Sequence, residues 1–393
     1  MVSLRPSAGG RSRQTWVSYL WLSTSVLLMA ALLRFAGLPQ MPPGVSHDEV
    51  AEVIIARRVL AGHHALFFQE AYGQEPLFIY LLAGALVTLG ENVLALRFVT
   101  ASLGLLTVAA SARLARRLFN ARISLMTAAG MAVMLWPVFW SRVGLRGMTL
   151  PLMLCLGWDA LWDALMTPPS RRRGGKALLA GIFLGLSAYT YSAARGLPIL
   201  FIAFAAYLWL FRRSPDGVYP PDGVYPPHTG FFVRVGRPFL TTLIIAALLA
   251  LPLVVYLSRN PEVQSRVHEV GQPLEDLLQG RPGLVLENIP RVLGMFTVRG
   301  DFTVRNNAPH RPVFPELLWA ALFYLGVGIA VVAWVRDARY ALILIWLIVM
   351  LSPSVVTTEA PNFVRTLGAL PMVMLLPAVG AEWVTTYLRK HGP

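Results

Sequence analysis

The stretch LFIYLLAGALVTLG, residues 77–90, decides how this chain is laid out. It carries no charge, lies between Glu75 and Glu91, and is 14 residues long. A bilayer core of about 30 Å asks for roughly 20 helical residues, and apolar runs of about 10–14 behave as re-entrant or interfacial pieces. If this run crosses a membrane, every later loop changes side. If it does not, the topology that follows is fixed by charge.

The composition calls for a membrane. Apolar residues make up 56% of the 393 and charged residues 14%, against about a quarter charged in soluble domains. Mean hydropathy is +0.58. Uncharged runs of spanning length recur, and the strict alternation of a β-barrel is absent, so the expected class is an all-α polytopic membrane protein. The first run, 16–33, follows Arg5, Arg11 and Arg13 and is too long for a signal-peptide core, so it reads as an uncleaved anchor. Further spans are predicted near 94–112, 123–141, 147–165, 177–193, 197–211, 238–257, 316–335, 340–354 and 364–386, with the first at 16–36.

Charge then weighs against a crossing by residues 77–90. With that run kept on one side and the N-terminus cytoplasmic, more than half of the 34 Lys and Arg fall on inner segments, among them RLARRLFNAR, SRRRGGK and the 211–237 linker. If it crossed, SRRRGGK and FRR would face outward, against the positive-inside rule. The expectation is therefore about ten spans, re-entrant or juxtamembrane helices in the first outer loop, and both termini on the cytoplasmic side of a plasma membrane. The net charge of +14 belongs to this loop bias. No basic tract with interleaved aromatics points to nucleic acid. Cys155 is the one cysteine and excludes an internal disulfide. PDGVYPPDGVYPP, residues 215–227, is a tandem duplication in the inner linker and reads as a turn-rich connector.

This topology gathers the unusual polar residues on the outer face. The first outer loop, 37–93, holds His47, Asp48, Glu49, Glu52, His63, His64, Glu70 and Glu75, and with Glu91 it carries six of the chain's 20 acids. Arg142 and Arg146 lie in SRVGLRGM, Tyr189, Tyr191 and Arg195 in YTYSAARGLP, and Glu359, Asn362 and Arg365 in TTEAPNFVRTLGALP. A long outer loop, 258–315, ends RGDFTVRNNAPHRPVF. Acids at one place with arginines from separate helix ends suit a general base beside a site for an anionic leaving group.

HDEVAEVIIARRVLAG, followed by EPLFIYLLAGALVTLGENVLALRFVTASLGLLTVAASARLARRLF, resembles the start of glycosyltransferase family 39 and its relatives. That group includes protein O-mannosyltransferases and lipid A aminoarabinose transferases of the GT-C superfamily. NNAPHRPVFPELLWAALFYLGVGIAV and EAPNFVRTLGALPMVMLLPAVG resemble the late spans of bacterial members, so the likeness covers most of residues 40–385. It implies a GT-C type bundle, a single membrane-embedded domain over 1–393. It also implies an inverting transferase that moves a sugar from a polyprenyl-phosphate-linked donor to an extracytoplasmic lipid, glycan or protein. By position, Asp48 corresponds to the family's catalytic carboxylate and Glu49 to its acidic neighbour. Many members carry Lys-Pro-Pro or His-Pro-Pro before the apolar segment, where this chain has Gln74-Glu75-Pro76. The family's basic contact to donor phosphate is missing there, and an arginine from another loop is the substitute to look for.

Read residue by residue, Ser46-x-x-Glu49 spells a capping box. It puts Asp48 in the first turn of a helix, where the dipole favours its ionised form. Glu49 stands between capping and catalysis. Glu52 reads as a solvated acid one turn beyond Asp48 and Arg97 as an interface anchor. Arg142, Arg146, Arg195 and Arg365 are the donor-phosphate candidates, because a guanidinium fork matches phosphate and stays charged. Arg142 and Arg146, four apart, are expected to face one cavity if the second helix begins early. Tyr191, Glu75 and Asn362 are the substrate-binding candidates, with Tyr189 and Tyr191 also suited to an aromatic belt. His63 and His64 read as a solvated pair with no third ligand at metal spacing, and Asp159 and Asp163 as local charge balance near Arg171 to Arg173 at the cytoplasmic end of a span. No cofactor is called for, and the chemistry accommodates a divalent metal without requiring one. The alternative is a transporter or lipid flippase with no transfer chemistry. It calls for ionisable residues at mid-span, whereas the acids here gather at the outer ends.

Overall fold

The structure is a computed structural model that describes residues 13–211, 230–264 and 269–391. The tandem duplication and most of the 211–237 linker lie outside the described residues, as do Arg5 and Arg11. The described chain is all-helical apart from one isolated bridge, Phe68 to Gln74. Its helices are α1 (Arg13–Phe35), α2 (His47–Leu60), α3 (Pro76–Leu89), α4 (Val93–Leu118), α5 (Ala121–Val133), α6 (Leu135–Arg142), α7 (Thr149–Met166), α8 (Arg171–Leu186), α9 (Leu197–Leu210), α10 (Arg237–Arg259), α11 (Gln272–Leu278), α12 (Gly283–Gly294), α13 (Leu317–Ala333), α14 (Ala338–Val355) and α15 (Leu370–His391). Six helical stretches are long and apolar enough to cross a membrane, and a seventh is added if α5 and α6 form one bent span. Residues 77–90 fall on α3, which with α13 belongs to the shorter apolar helices.

The helices pack as a chain of neighbours. α10 lies on α8, α8 on α7, α7 on α4, α4 on α5, α5 on α15, and α15 on α13. α1 lies against α4 and α5, α9 against α14, α2 on α3 and α3 on α4. The α13–α15 contact rests on two glycines. A Cβ at Gly326 would sit 2.1 Å from the Leu376 carbonyl oxygen, and one at Gly380 2.3 Å from that of Leu322. Membrane helices use small residues in this way because lipid offers no hydrophobic drive, so close backbone approach must supply the attraction.

The predicted span 123–141 is broken by 55° between α5 and α6. Met134 leaves the helix (φ −64°, ψ 144°), and Pro137 has no N–H to continue the ladder. The break orphans carbonyls in an apolar setting, and Arg34, fully buried, satisfies them. It donates to the oxygens of Met131 (2.8 Å) and Ala132 (3.2 Å), to Ala30 on its own helix, and to Ser141 Oγ on α6 (3.1 Å). One arginine of α1 thus fixes the bend that aims residues 142–146.

The two ends of the bundle differ in chemistry. At one end Asp159 takes Arg113 and Arg117, Asp163 takes Arg117 and Lys176, and Glu382 lies 3.7 Å from Arg122. Asp159 and Asp163 do balance arginines, with α4 supplying them. At the other end gather α2, α3, residues 142–146, 187–196 and 295–316, and the turn 356–369.

Gly326→Ala is expected to cost about 1–3 kcal/mol through overpacking, read as a lower thermal midpoint in detergent. An unchanged midpoint would remove the glycine contact from this account.

Candidate active site

The site begins at the start of α2. Ser46 is the N-cap. Its Oγ accepts from the Glu49 amide at 3.2 Å, and Glu49 Oε2 accepts from the Ser46 amide at 2.9 Å, so the capping box forms. Glu49 does more than cap. Its Oε1 accepts from Arg97 Nε on α4 (3.1 Å) and from the Gly144 amide (2.9 Å). Arg97 spends its remaining nitrogens on the carbonyls of Leu38, Pro42 and Gly44. Both side chains are almost completely buried. Arg97 is therefore not an interface anchor: an interior arginine next to a buried carboxylate is held by that charge rather than by lipid headgroups. The structure gives the Glu49 carboxylate three hydrogen-bond donors, the Ser46 amide, Arg97 and the Gly144 amide, and buries it among them.

Asp48 is the opposite case. Successive helical residues point about 100° apart, so burying Glu49 turns its neighbour outward. The Asp48 side chain is 45% exposed. Its Oδ2 meets Arg305 Nη1 at 3.3 Å and its Oδ1 lies 3.8 Å from His47 Nδ1. Arg305 belongs to the long outer loop and was not singled out by sequence reasoning. It sits within TVRNN beside two asparagines that hold the loop in shape, which was the available signal. That loop is anchored by Asp301, fully buried, which accepts from the Thr303 amide, from Asn306 Nδ2 and from the Phe363 amide of the last turn. Trp140 of α6 donates to the Asn306 carbonyl at 3.1 Å.

Behind Asp48 lies a buried polar cluster. Arg146 Nε donates to Glu75 Oε2 (3.0 Å), and Nη1 to Glu52 Oε1 (3.3 Å) and to Gln74. Nη2 reaches the Gly73 carbonyl at 3.4 Å, and the guanidinium lies 5.5 Å from the centre of the Tyr191 ring. Glu52 is not a solvated surface acid; it is 1% exposed, because α3 and residues 142–148 cover that face of α2. Its Oε2 has no hydrogen-bond partner among the described residues. The turn that delivers Gln74 and Glu75 is unusual. Ala71 and Tyr72 adopt left-handed backbone (φ 49° and 67°), followed by Gly73 at 95°. A Cβ at Gly73 would sit 2.8 Å from the Phe67 ring. Non-glycine residues in this region cost energy and persist where the surroundings hold them.

The remaining predicted residues separate. Arg142 ends α6, and Val143 and Leu145 are extended, so the four-residue helical spacing to Arg146 does not apply. Each of the three Arg142 nitrogens donates to backbone carbonyls of residues 33–41, from Leu33, Ala36, Gly37 and Met41. It clamps the end of α1 rather than sharing a cavity with Arg146. Arg365, buried, donates to Thr357 Oγ1 (2.8 Å) and the Thr358 carbonyl and lies 3.7 Å from Glu359. Asn362 Oδ1 accepts from the Arg365 amide at 3.2 Å. Arg195 is exposed and makes no ion pair or hydrogen bond with the described residues. Tyr189 donates to the Leu249 carbonyl at 2.7 Å. His63 and His64 are exposed, with His64 stacked on Tyr80. Among the described residues no three His, Cys, Asp or Glu side chains are placed to hold a metal ion.

Burial pushes the Glu52 carboxyl up to about 7; Arg146 opposes the shift, while Glu75 and Asp48 add to it. The unfolded chain ionises near the usual 4.5, so between these values the folded state binds more protons than the unfolded one. Stability from this group is full below the lower value, falls as pH rises, and is lost above about 7. Glu52→Gln should therefore flatten the loss of thermal stability over that window, by up to ~3 kcal/mol. Glu49→Gln should cost about 3–5 kcal/mol at any neutral pH, since it strands a buried arginine. Equal midpoints for parent and Glu49→Gln in detergent would contradict the pairing.

No family model matches the sequence, and no curated protein matches it. Solved structures do match the fold. ArnT from Cupriavidus metallidurans, bound to undecaprenyl phosphate, superposes with a TM-score of 0.62 at 17% identity over 97% of this chain and 63% of its own. The oligosaccharyltransferase AglB from Archaeoglobus fulgidus, in complex with an inhibitory peptide and a dolichol-phosphate, gives 0.63 at 15% over 97% of this chain and 53% of its own. The chain thus spans about three-fifths of the ArnT length and about half of the AglB length. Both neighbours are members of the GT-C superfamily, and the fold of this chain is theirs.

Proposed function

We propose that this protein is an inverting glycosyltransferase that takes a sugar from a polyprenyl-phosphate-linked donor and passes it to an extracytoplasmic acceptor. One observation carries the reading. In a GT-C fold, Asp48 stands exposed in the first turn of α2 while its neighbour Glu49 is wholly consumed by structure, and the partner of Asp48 across the site is an exposed arginine. Asp48 is the general base. It takes the proton of the acceptor hydroxyl as that oxygen bonds to the anomeric carbon. The bond from that carbon to the phosphate oxygen breaks on the opposite face, and its electron pair leaves with the polyprenyl phosphate.

The leaving group needs preorganised cations. Arg305 and Arg195 retain donors for it, and Arg305 stands in for the basic residue missing at Gln74-Glu75. Arg146 contributes from behind with Tyr191 beside it as a platform for the sugar, Glu75 holds Arg146 in place, and Arg365 and Asn362 shape the last turn. In this reading the chain is one membrane-embedded domain of about ten spans. A helix lies at each predicted position, and α7, α8 and α13 are the spans that fall short of the length or hydropathy of the other seven. Both termini are cytoplasmic in a plasma membrane, and Asp48 faces outward. A transporter would need ionisable residues along a mid-span path, whereas the acids around Asp48 lie on the short helix α2 and at the N-cap of α3.

Asp48→Asn, assayed in membranes with polyprenyl-phosphate-linked sugars, is expected to lower turnover at least about 100-fold with an unchanged thermal midpoint. Arg305→Ala is expected to raise the donor KM. Near-parental turnover by Asp48→Asn, or solute uptake into vesicles without sugar transfer, would overturn the assignment.

A further inference from the structure

The buried cluster behind Asp48 has one guanidinium and two carboxyls, and its charges balance only if one carboxyl is neutral. Glu75 holds the better contact, 3.0 Å to Arg146 Nε, and Glu52 the looser one, 3.3 Å to Nη1. Glu52 Oε2 is buried without a partner. An ionised carboxylate would leave that oxygen desolvated and unbonded, which is costly, whereas a carboxylic acid tolerates the setting far better. Three charged groups face Glu52. Arg146 comes from the turn after α6, Glu75 from the N-cap of α3, and Asp48 from one turn earlier on α2 itself. Tyr191 lies on the far side of Arg146. Two of the three facing charges are negative.

We propose that Glu52 is a positioning residue that holds a proton beneath Asp48, so that Arg146 answers to Glu75 alone and the site keeps the charge balance an anionic donor phosphate requires. The proposal rests on the donor reading above and adds to it the residue that sets the pH range of donor binding. When Glu52 loses its proton, the cluster gains one negative charge next to Asp48, and a phosphate group nearby is repelled. Burial of Glu52 places that loss at about 7.

The test uses the full-length chain in lipid nanodiscs, with undecaprenyl phosphate as the probe. Its Kd is followed from about pH 6 to about pH 8, bracketing the Glu52 transition. The phosphate's own ionisation enters every curve equally, so the comparison is between variants. The parent should weaken on the order of tenfold more than Glu52→Gln across this range. Glu52→Gln should match the parent at the acid end. In Glu75→Gln the remaining carboxyl has the guanidinium to itself, so Glu52 ionises earlier and the step should move to lower pH. Infrared difference spectra should show a protonated carboxyl band in the parent at neutral pH that Glu52→Gln removes. Identical pH profiles in the parent and Glu52→Gln, or in the parent and Glu75→Gln if the first variant does not fold, would overturn the proposal. So would a carboxyl band that persists in Glu52→Gln. If no form binds undecaprenyl phosphate but the band is present and lost in Glu52→Gln, the donor reading fails and the Glu52 proton stands.

Discussion

The pair between Glu49 and Arg97 is buried on both sides, and the end of the bundle that holds Asp48 is organised around it. Neither charge can be solvated, so each must be met by protein groups, and both are. Glu49 collects the N-cap amide, Arg97 Nε and the Gly144 amide. Arg97 collects three carbonyls from residues 38–44. The loop after α1, the start of α2, the first turns of α4 and the turn after α6 are tied at one point. With Glu49 fixed inward, helical geometry sends Asp48 toward solvent and Glu52, one turn on, toward the cover of α3. The chemistry proposed for Asp48 and the proton proposed for Glu52 both follow from where Glu49 is pinned.

The arginines divide by the same logic. An arginine offers five donors in a plane, which makes it a clamp for the carbonyls left over at helix ends. Arg34 serves the break between α5 and α6, Arg142 the end of α1, and Arg365 the turn before α15. Arg34 and Arg142 are satisfied mainly by backbone oxygens, and Arg365 by the Thr358 carbonyl together with Thr357 and Glu359. Arg195 and Arg305 are exposed, and among the described residues Arg305 pairs with Asp48 while the Arg195 side chain makes no ion pair or hydrogen bond. In an apolar bundle the interior arginines hold the frame, and in the proposed reading the rim arginines meet the donor phosphate.

Much of the frame was legible along the chain. The hydropathy, the short run at 77–90 and the loop charges belong to local sequence, and helices appear where they point. The capping box at Ser46 and Glu49 was equally legible, because its partners lie three residues apart. The broken span was not: residues 123–141 read as one continuous run, and the residue that repairs the break, Arg34, is about a hundred positions away.

By itself, the sequence determined that the chain is helical and membrane-embedded, that α2 begins at Ser46 with Asp48 in its first turn, and that acids and arginines cluster in the same few segments. These are matters of composition, period and short-range hydrogen bonding. Only the tertiary structure decided which of those charges are spent. Glu52 is buried because α3 and the turn after α6 close over it. Arg142 and Arg146 part company because an extended turn replaces the helix between them. Arg305 reaches Asp48 across 257 positions, brought there by a loop folded around Asp301. The cost of burying a charge depends on what surrounds it in space, and that information is not local in the chain.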